Sequence, residues 1–266
     1  MLRSVNDLQK YAIRATDGGI GQVKDLYFDD LAWVVRYLVV DTGTWLSGRH
    51  VLISPIAVGE PNWAERVLPV SITKEQVRNS PDIDTHQPVS RQSEISFLGY
   101  YGYPDYWGAG GYPRKLPAAA DHTEATTYMA KPLGTNSHSP ESALKGVDPQ
   151  LRSCTTVLNH HVIAADGDIG RVHGLLVDER TWAIRYIIVN TGNWWLGHKV
   201  VMAPEWIEDV SWPDSILVVD TTRRSVQDAP AYVSVAHLDR SQEIGIYAHY
   251  GRAGYWMADI QAESRS

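Results

Sequence analysis

The chain has 266 residues and a formal net charge of −7, with one Cys, two Phe, ten Trp and fourteen Tyr. Its length suits one large or two modest domains, a lone Cys excludes an internal disulfide or a Cys-rich zinc module, and the acidic balance argues against duplex nucleic acid as a partner. The best apolar run, Trp33 to Val40, is interrupted by Arg36, and Met1-Leu2-Arg3-Ser4 is not followed by a signal-type apolar segment, so a cytoplasmic location is expected.

In chain order, Asp17-Gly18 is a turn signal that leads into a β-rich run from Ile20 to Phe28. Asp29-Asp30-Leu31-Ala32 suits a hairpin loop before a second strand, Val34 to Val40. Thr42-Gly43-Thr44-Trp45-Leu46-Ser47-Gly48 connects to a short strand, His50 to Ile53, which Pro55 ends, and Leu68 to Ile72 supplies another. Thr73-Lys74-Glu75-Gln76 has the form of a capping box, and Ser90 opens a helix that runs to the aromatic tail near Tyr101. From Pro113 to Gln150 the pattern collapses into Pro, Ala, Thr, Ser and Gly, the composition of a flexible linker.

After the linker the same sequence returns. At an offset of 149 positions, Trp33-Val34-Val35-Arg36-Tyr37 falls on Trp182-Ala183-Ile184-Arg185-Tyr186. Thr42-Gly43-Thr44-Trp45 falls on Thr191-Gly192-Asn193-Trp194, and Tyr106-Trp107 on Tyr255-Trp256. A register held without a gap over about ninety positions is a tandem duplication. The expected architecture is mainly β: two small β-barrels in tandem, with short helices at the ends of each repeat. The expected domains are residues 1–112, a linker at 113–150, and residues 151–266.

Ile20-Gly21-Gln22-Val23-Lys24-Asp25-Leu26-Tyr27-Phe28-Asp29 and Trp33 to Gly43, with their copies Ile169 to Asp178 and Trp182 to Gly192, resemble the PRC-barrel family. That barrel is shared by the cytoplasmic part of the photosynthetic reaction-centre H subunit and the C-terminal part of the ribosome-maturation factor RimM. The trailing Val89 to Glu94 and the Tyr-Gly-x-x-x-Tyr-Trp tail are similar to bacterial proteins with two such barrels. The resemblance implies a non-enzymatic binding or scaffold protein that docks onto a protein complex, with any membrane association coming through a partner. The alternatives are a reaction-centre H-like or electron-transfer-complex assembly role, an RNA- or ribosome-associated factor, and an enzyme with a site between the barrels. Clustering of Asp29, His50 and His198 around a pocket would favour the enzyme.

The residues give no catalytic, metal or cofactor site. The glycines at Gly18-Gly19-Ile20-Gly21 precede β-type residues rather than a long helix, so they read as a turn and not a phosphate loop. The candidate interaction residues are Trp45, Leu46 and Arg49, with Trp194, Trp195, Leu196 and His198 at the equivalent place. Large apolar side chains beside glycine in a loop either plug their own barrel, pack barrel against barrel as an internal pseudo-dimer or a homo-oligomer, or meet an external partner. Tyr101, Trp107, Tyr250 and Trp256 in the tails are the second set. Arg36 and Arg185 lie inside apolar strands, where a guanidinium needs a partner or a route to water. One reading pairs them with Glu94 and Glu243 so that the terminal helix is pinned to its barrel; the other points them to solvent.

Overall fold

The computed structural model describes residues 1–81, 89–106, 151–192 and 198–257. The expected linker at 113–150 lies outside the described residues, as do Trp107, Trp194, Trp195 and Leu196.

The first repeat supplies β1 (Leu2–Ser4), the helical turn α1 (Val5–Leu8), β2 (Ala12–Ala15), β3 (Gly18–Asp29), β4 (Val34–Asp41), β5 (His50–Ile53), β6 (Val67–Pro69), and helices α2 (Lys74–Arg78) and α3 (Arg91–Tyr101). The second supplies β7 (Leu151–Ser153), α4 (Cys154–Val157), β8 (His161–Ala164), β9 (Gly167–Asp178), β10 (Ile184–Asn190), β11 (Lys199–Met202), an added β12 (Ile207–Ser211), β13 (Ile216–Val219), α5 (Arg223–Gln227) and α6 (Arg240–His249). The molecule is mainly β, as its sequence indicates.

Each repeat builds one sheet around its twelve-residue strand. The first has the order β5-β4-β3-β2-β6 and the second β11-β10-β9-β8-β13-β12; β2 runs parallel to β6, and β8 to β13. In β4 Val35 and the run Tyr37 to Val40 are buried, because the strand is covered on both faces. Its side chains alternate by the period of two: Tyr37 and Val39 join a core with Phe97 and Leu98 of α3, while Leu38 and Val40, equally buried, point the other way. Gly21 and Gly170 follow from close approach: a Cβ there would sit 2.0 Å from the Asp41 carbonyl oxygen or 2.1 Å from that of Asn190.

Local signals in the sequence are realised in the backbone. Thr73 caps α2 with both bonds of a capping box, and the Ser90 side chain caps α3, which Gly102 ends in the left-handed conformation at φ 68°. Asp29 organises the hairpin loop by accepting from the amides of Leu31 and Ala32. The Asp-Gly turns lead directly into β3 and β9, and their Asp17 and Asp166 accept from the amides of Lys74 and Arg223.

The three-residue strands at the head of each repeat do not join their own sheets. β1 pairs antiparallel with β9, with Leu2 opposite Asp178 and Ser4 opposite Leu176. β7 pairs antiparallel with β3, with Leu151 opposite Asp29 and Ser153 opposite Tyr27. The compact units therefore differ from the sequence repeats 1–112 and 151–266. One comprises Asp7–Ser153 with Arg180–Trp182; the other comprises Met1–Asn6, Cys154–Glu179 and Ala183–Ser266. They are called the first and second unit below. Arg180–Trp182 belongs to the first because the amide of Val35 donates to the carbonyl of Trp182 at 2.9 Å.

Candidate functional site

Two features gather the chemically distinctive side chains, and the first is a buried carboxylate held under the terminal helix. Glu94, 2 % exposed, accepts hydrogen bonds at one oxygen from the hydroxyls of Tyr37 and Tyr106. Arg91, one helical turn earlier, meets the other oxygen at 2.9 Å. The same set recurs 149 positions on: Glu243 accepts from Tyr186 at 2.9 Å and Tyr255 at 2.8 Å, with Arg240 at 3.0 Å.

The strand arginines join this set through a tyrosine. The guanidinium of Arg36 lies 4.1 Å from the Tyr106 ring centre and that of Arg185 4.1 Å from Tyr255. Arg36 Nη2 reaches Asp29 at 3.4 Å and Arg185 Nε reaches Asp178 at 3.9 Å. Tyr106 thus takes the cation on its face and gives its hydroxyl to Glu94. The helix is pinned by a relay of strand Arg, tail Tyr and helix Glu, which differs both from a direct Arg–Glu pair and from arginines turned to solvent. Sequence reasoning missed Arg91 and Arg240, although Arg-x-x-Glu at helical spacing was the available signal.

Burial is the main force on Glu94 and raises its pKa from 4.5 to about 7 against the lowering pull of Tyr106, Arg91 and Tyr37. Tyr106 is raised chiefly by burial and then by the neighbouring carboxylate, and the same causes push Tyr255 up to about 12. Beside the relay, Val35, Arg36, Tyr37, Ser54, Pro55, Leu98 and Tyr106 line a cleft of about 10 Å³, room for one water. Asp29 and His50 are not among its lining residues; Asp29 holds its hairpin loop, and His50 opens β5 opposite Asp41. His198 belongs to the second unit, where its carbonyl accepts from Thr191. Among the described residues, no group of three His, Cys, Asp or Glu side chains could hold a metal ion.

The second feature is the loop after β4. Gly43–Leu46 forms a 3-10 turn, closed by Ser47 in the left-handed region at φ 54°. The half-buried Trp45 folds back so that its indole N–H donates to the carbonyl of Ile20. The Lys74 ammonium lies 4.7 Å from its ring centre, and the Arg78 guanidinium 5.8 Å. Arg49 donates to the carbonyls of Arg78 and Ser80 at 3.2 and 2.8 Å, closing the end of α2. The Tyr100 hydroxyl donates to the carbonyl of Gln76, so α3 meets the same helix. Trp45, Arg49, Lys74, Arg78 and Tyr100 consequently share one face of the first unit, with Leu46 half-buried in the turn.

In the second unit this face is built with different residues. His249 replaces Tyr100 and bonds the carbonyl of Ser225, the position that matches Gln76. Lys74, Arg78 and Arg49 are matched by Arg223, Gln227 and His198, so the cations thin out. The tail aromatics turn inward: Tyr101 stacks on Tyr103 at 5.4 Å and touches Phe97, Tyr250 packs on Trp206 at 4.6 Å, and Trp256 packs on Tyr247 at 5.0 Å. Arg240 lies 4.4 Å from the Trp256 ring centre.

Among the described residues, no helix is long and apolar enough to cross a membrane. Comparison with curated proteins gave no match. Residues 2–77, from the exchanged strand β1 through α2, match the family model of the PRC-barrel domain.

Proposed function

We propose that the chain is a non-enzymatic docking or scaffold protein that presents the Trp45 face of its first unit to an acidic segment of a protein partner. The observation that carries this reading is the placing of Lys74 and Arg78 over one amphipathic ring, with Arg49 bonded at the end of the same helix, on a chain of net charge −7. Trp and Arg are the side chains that most often dominate interface energetics, and opposite local charge guides the encounter. The PRC-barrel match supports binding in general. The buried carboxylates Glu94 and Glu243 are engaged by tyrosine hydroxyls, which supports a structural use of these groups.

The test compares wild type with Trp45→Ser and Arg78→Glu in native cross-linking and pull-down. Arg78 is exposed, so its reversal should leave the fold intact while weakening capture of the partner by at least about tenfold, the equivalent of about 1.4 kcal/mol. If both variants keep a wild-type circular dichroism spectrum and retain every partner, the docking face lies elsewhere. Association with RNA is the second reading, favoured by the same three cations. It predicts that captured material is nuclease-sensitive and that binding falls steeply with salt.

A further inference from the structure

The two exchanged strands are chemically interchangeable. Leu2-Arg3-Ser4 and Leu151-Arg152-Ser153 are the same tripeptide, and each is laid antiparallel on the far end of a twelve-residue strand. Leu2 and Leu151 are both buried, at 7 % and 4 % exposure. The arginines form matching ion pairs, Arg3 Nε to Glu179 at 2.8 Å and Arg152 Nε to Asp30 at 2.9 Å, and these acids occupy equivalent positions. The residues that follow, Val5 and Cys154, are both fully buried. The slots differ in two contacts: Ser153 donates to Asp25, where the matching position is Gly174, and the Met1 amino group lies 3.3 Å from Glu179.

Each slot thus reads a buried Leu, an Arg that faces an acid, and three residues of backbone pairing. None of these marks the strand as coming from the same chain. We propose that the slots on β3 and β9 are self-recognition sites and that a second copy of this chain is the partner they accept, through Leu2–Ser4 and Leu151–Ser153 supplied in trans. Every hydrogen bond and ion pair of the exchange survives the change of donor chain. The balance between the closed monomer and the strand-exchanged dimer is then set by protein concentration against the effective concentration of the tethered strand. The exchanged dimer forms most readily when chains fold together at high concentration.

The test uses full-length chains in a Cys154→Ala background, one carrying Ser4→Cys and the other Leu176→Cys, a directly opposed pair. Leu176 is 0 % exposed, so a thiol there is reached only by a strand seated in the slot. A chain carrying both substitutions is expected to form its disulfide as a monomer. An equal mixture of the single variants, unfolded together and refolded, is expected to give a disulfide-linked heterodimer. Its yield should rise about tenfold between about 10 μM and about 1 mM protein, the range that reaches a tether's effective concentration. Ser153→Cys with Tyr27→Cys reports the other slot in the same way. If the double variants cross-link and neither mixture does at the higher concentration, recognition in trans is wrong. If folded double variants of both pairs fail to cross-link, the exchange itself is wrong and the proposal falls with it.

Discussion

Replacing Leu151 by Asp is expected to unfold the sheet of the first repeat, at a cost of about 3–5 kcal/mol, although residue 151 opens the second. Leu151 sits on β3 among Tyr27, Tyr37, Val39, Leu52, Phe97 and Leu98, and a carboxylate placed there has neither water nor a partner. Leu2→Asp should act in the opposite sense, weakening the end of β9 at Leu176 to Asp178. Amide exchange resolved by segment is the decisive measurement. The Leu151 variant should lose protection at Tyr27 to Asp29 and in α3 while β9 keeps its own. Loss confined to β9 would mean that each head strand docks at home. The variant also separates the exchange from ordinary core damage, because Val162, equally buried in β8 of the second unit, should affect only that unit when truncated.

Much of the fold was legible because a duplication supplies its own control. Gly21 and Gly170, the hairpin Asp29 and Asp178, and the tail Tyr106 and Tyr255 repeat at one offset, so their pattern stands out from the background. The capping box at Thr73 and the Ser90 cap were readable for a local reason, since their partners lie three residues away. The exchange was not legible. Identical Leu-Arg-Ser segments fit either slot, so self-comparison cannot tell which sheet each one joins, and three residues are too short to show a period.

The relay was half legible. Arg36 and Glu94 were singled out as opposite charges, but the connecting group is an aromatic ring whose two ends do different work. That same pairing accounts for part of the Tyr excess over Phe. Tyr37, Tyr106, Tyr186 and Tyr255 each give a hydroxyl to a buried carboxylate, a task for which Phe has no donor.

Glu94 makes the first unit's stability fall as pH rises from about 4.5 to about 7. Its carboxyl takes up a proton more readily folded than unfolded, so across this window the folded form carries more bound protons and stability is highest at the acid end. The span from 4.5 to about 7 corresponds to roughly 3 kcal/mol, lost by the time the buried group is ionised. Glu94→Gln keeps an oxygen to accept from Tyr37 and Tyr106 but removes the proton exchange. In the variant the first unit's stability should be nearly flat between pH 5 and 8 and should match or exceed wild type at pH 8, despite the lost partner for Arg91. His160 and His173 in the second unit are held below their usual pKa by burial, so that unit should gain stability over the range in which Glu94 costs it. A probe specific to α3 is therefore required, such as amide exchange at Phe97 and Leu98. If that region's pH dependence is the same in Glu94→Gln as in wild type, another group titrates there and the relay's carboxylate is ionised throughout.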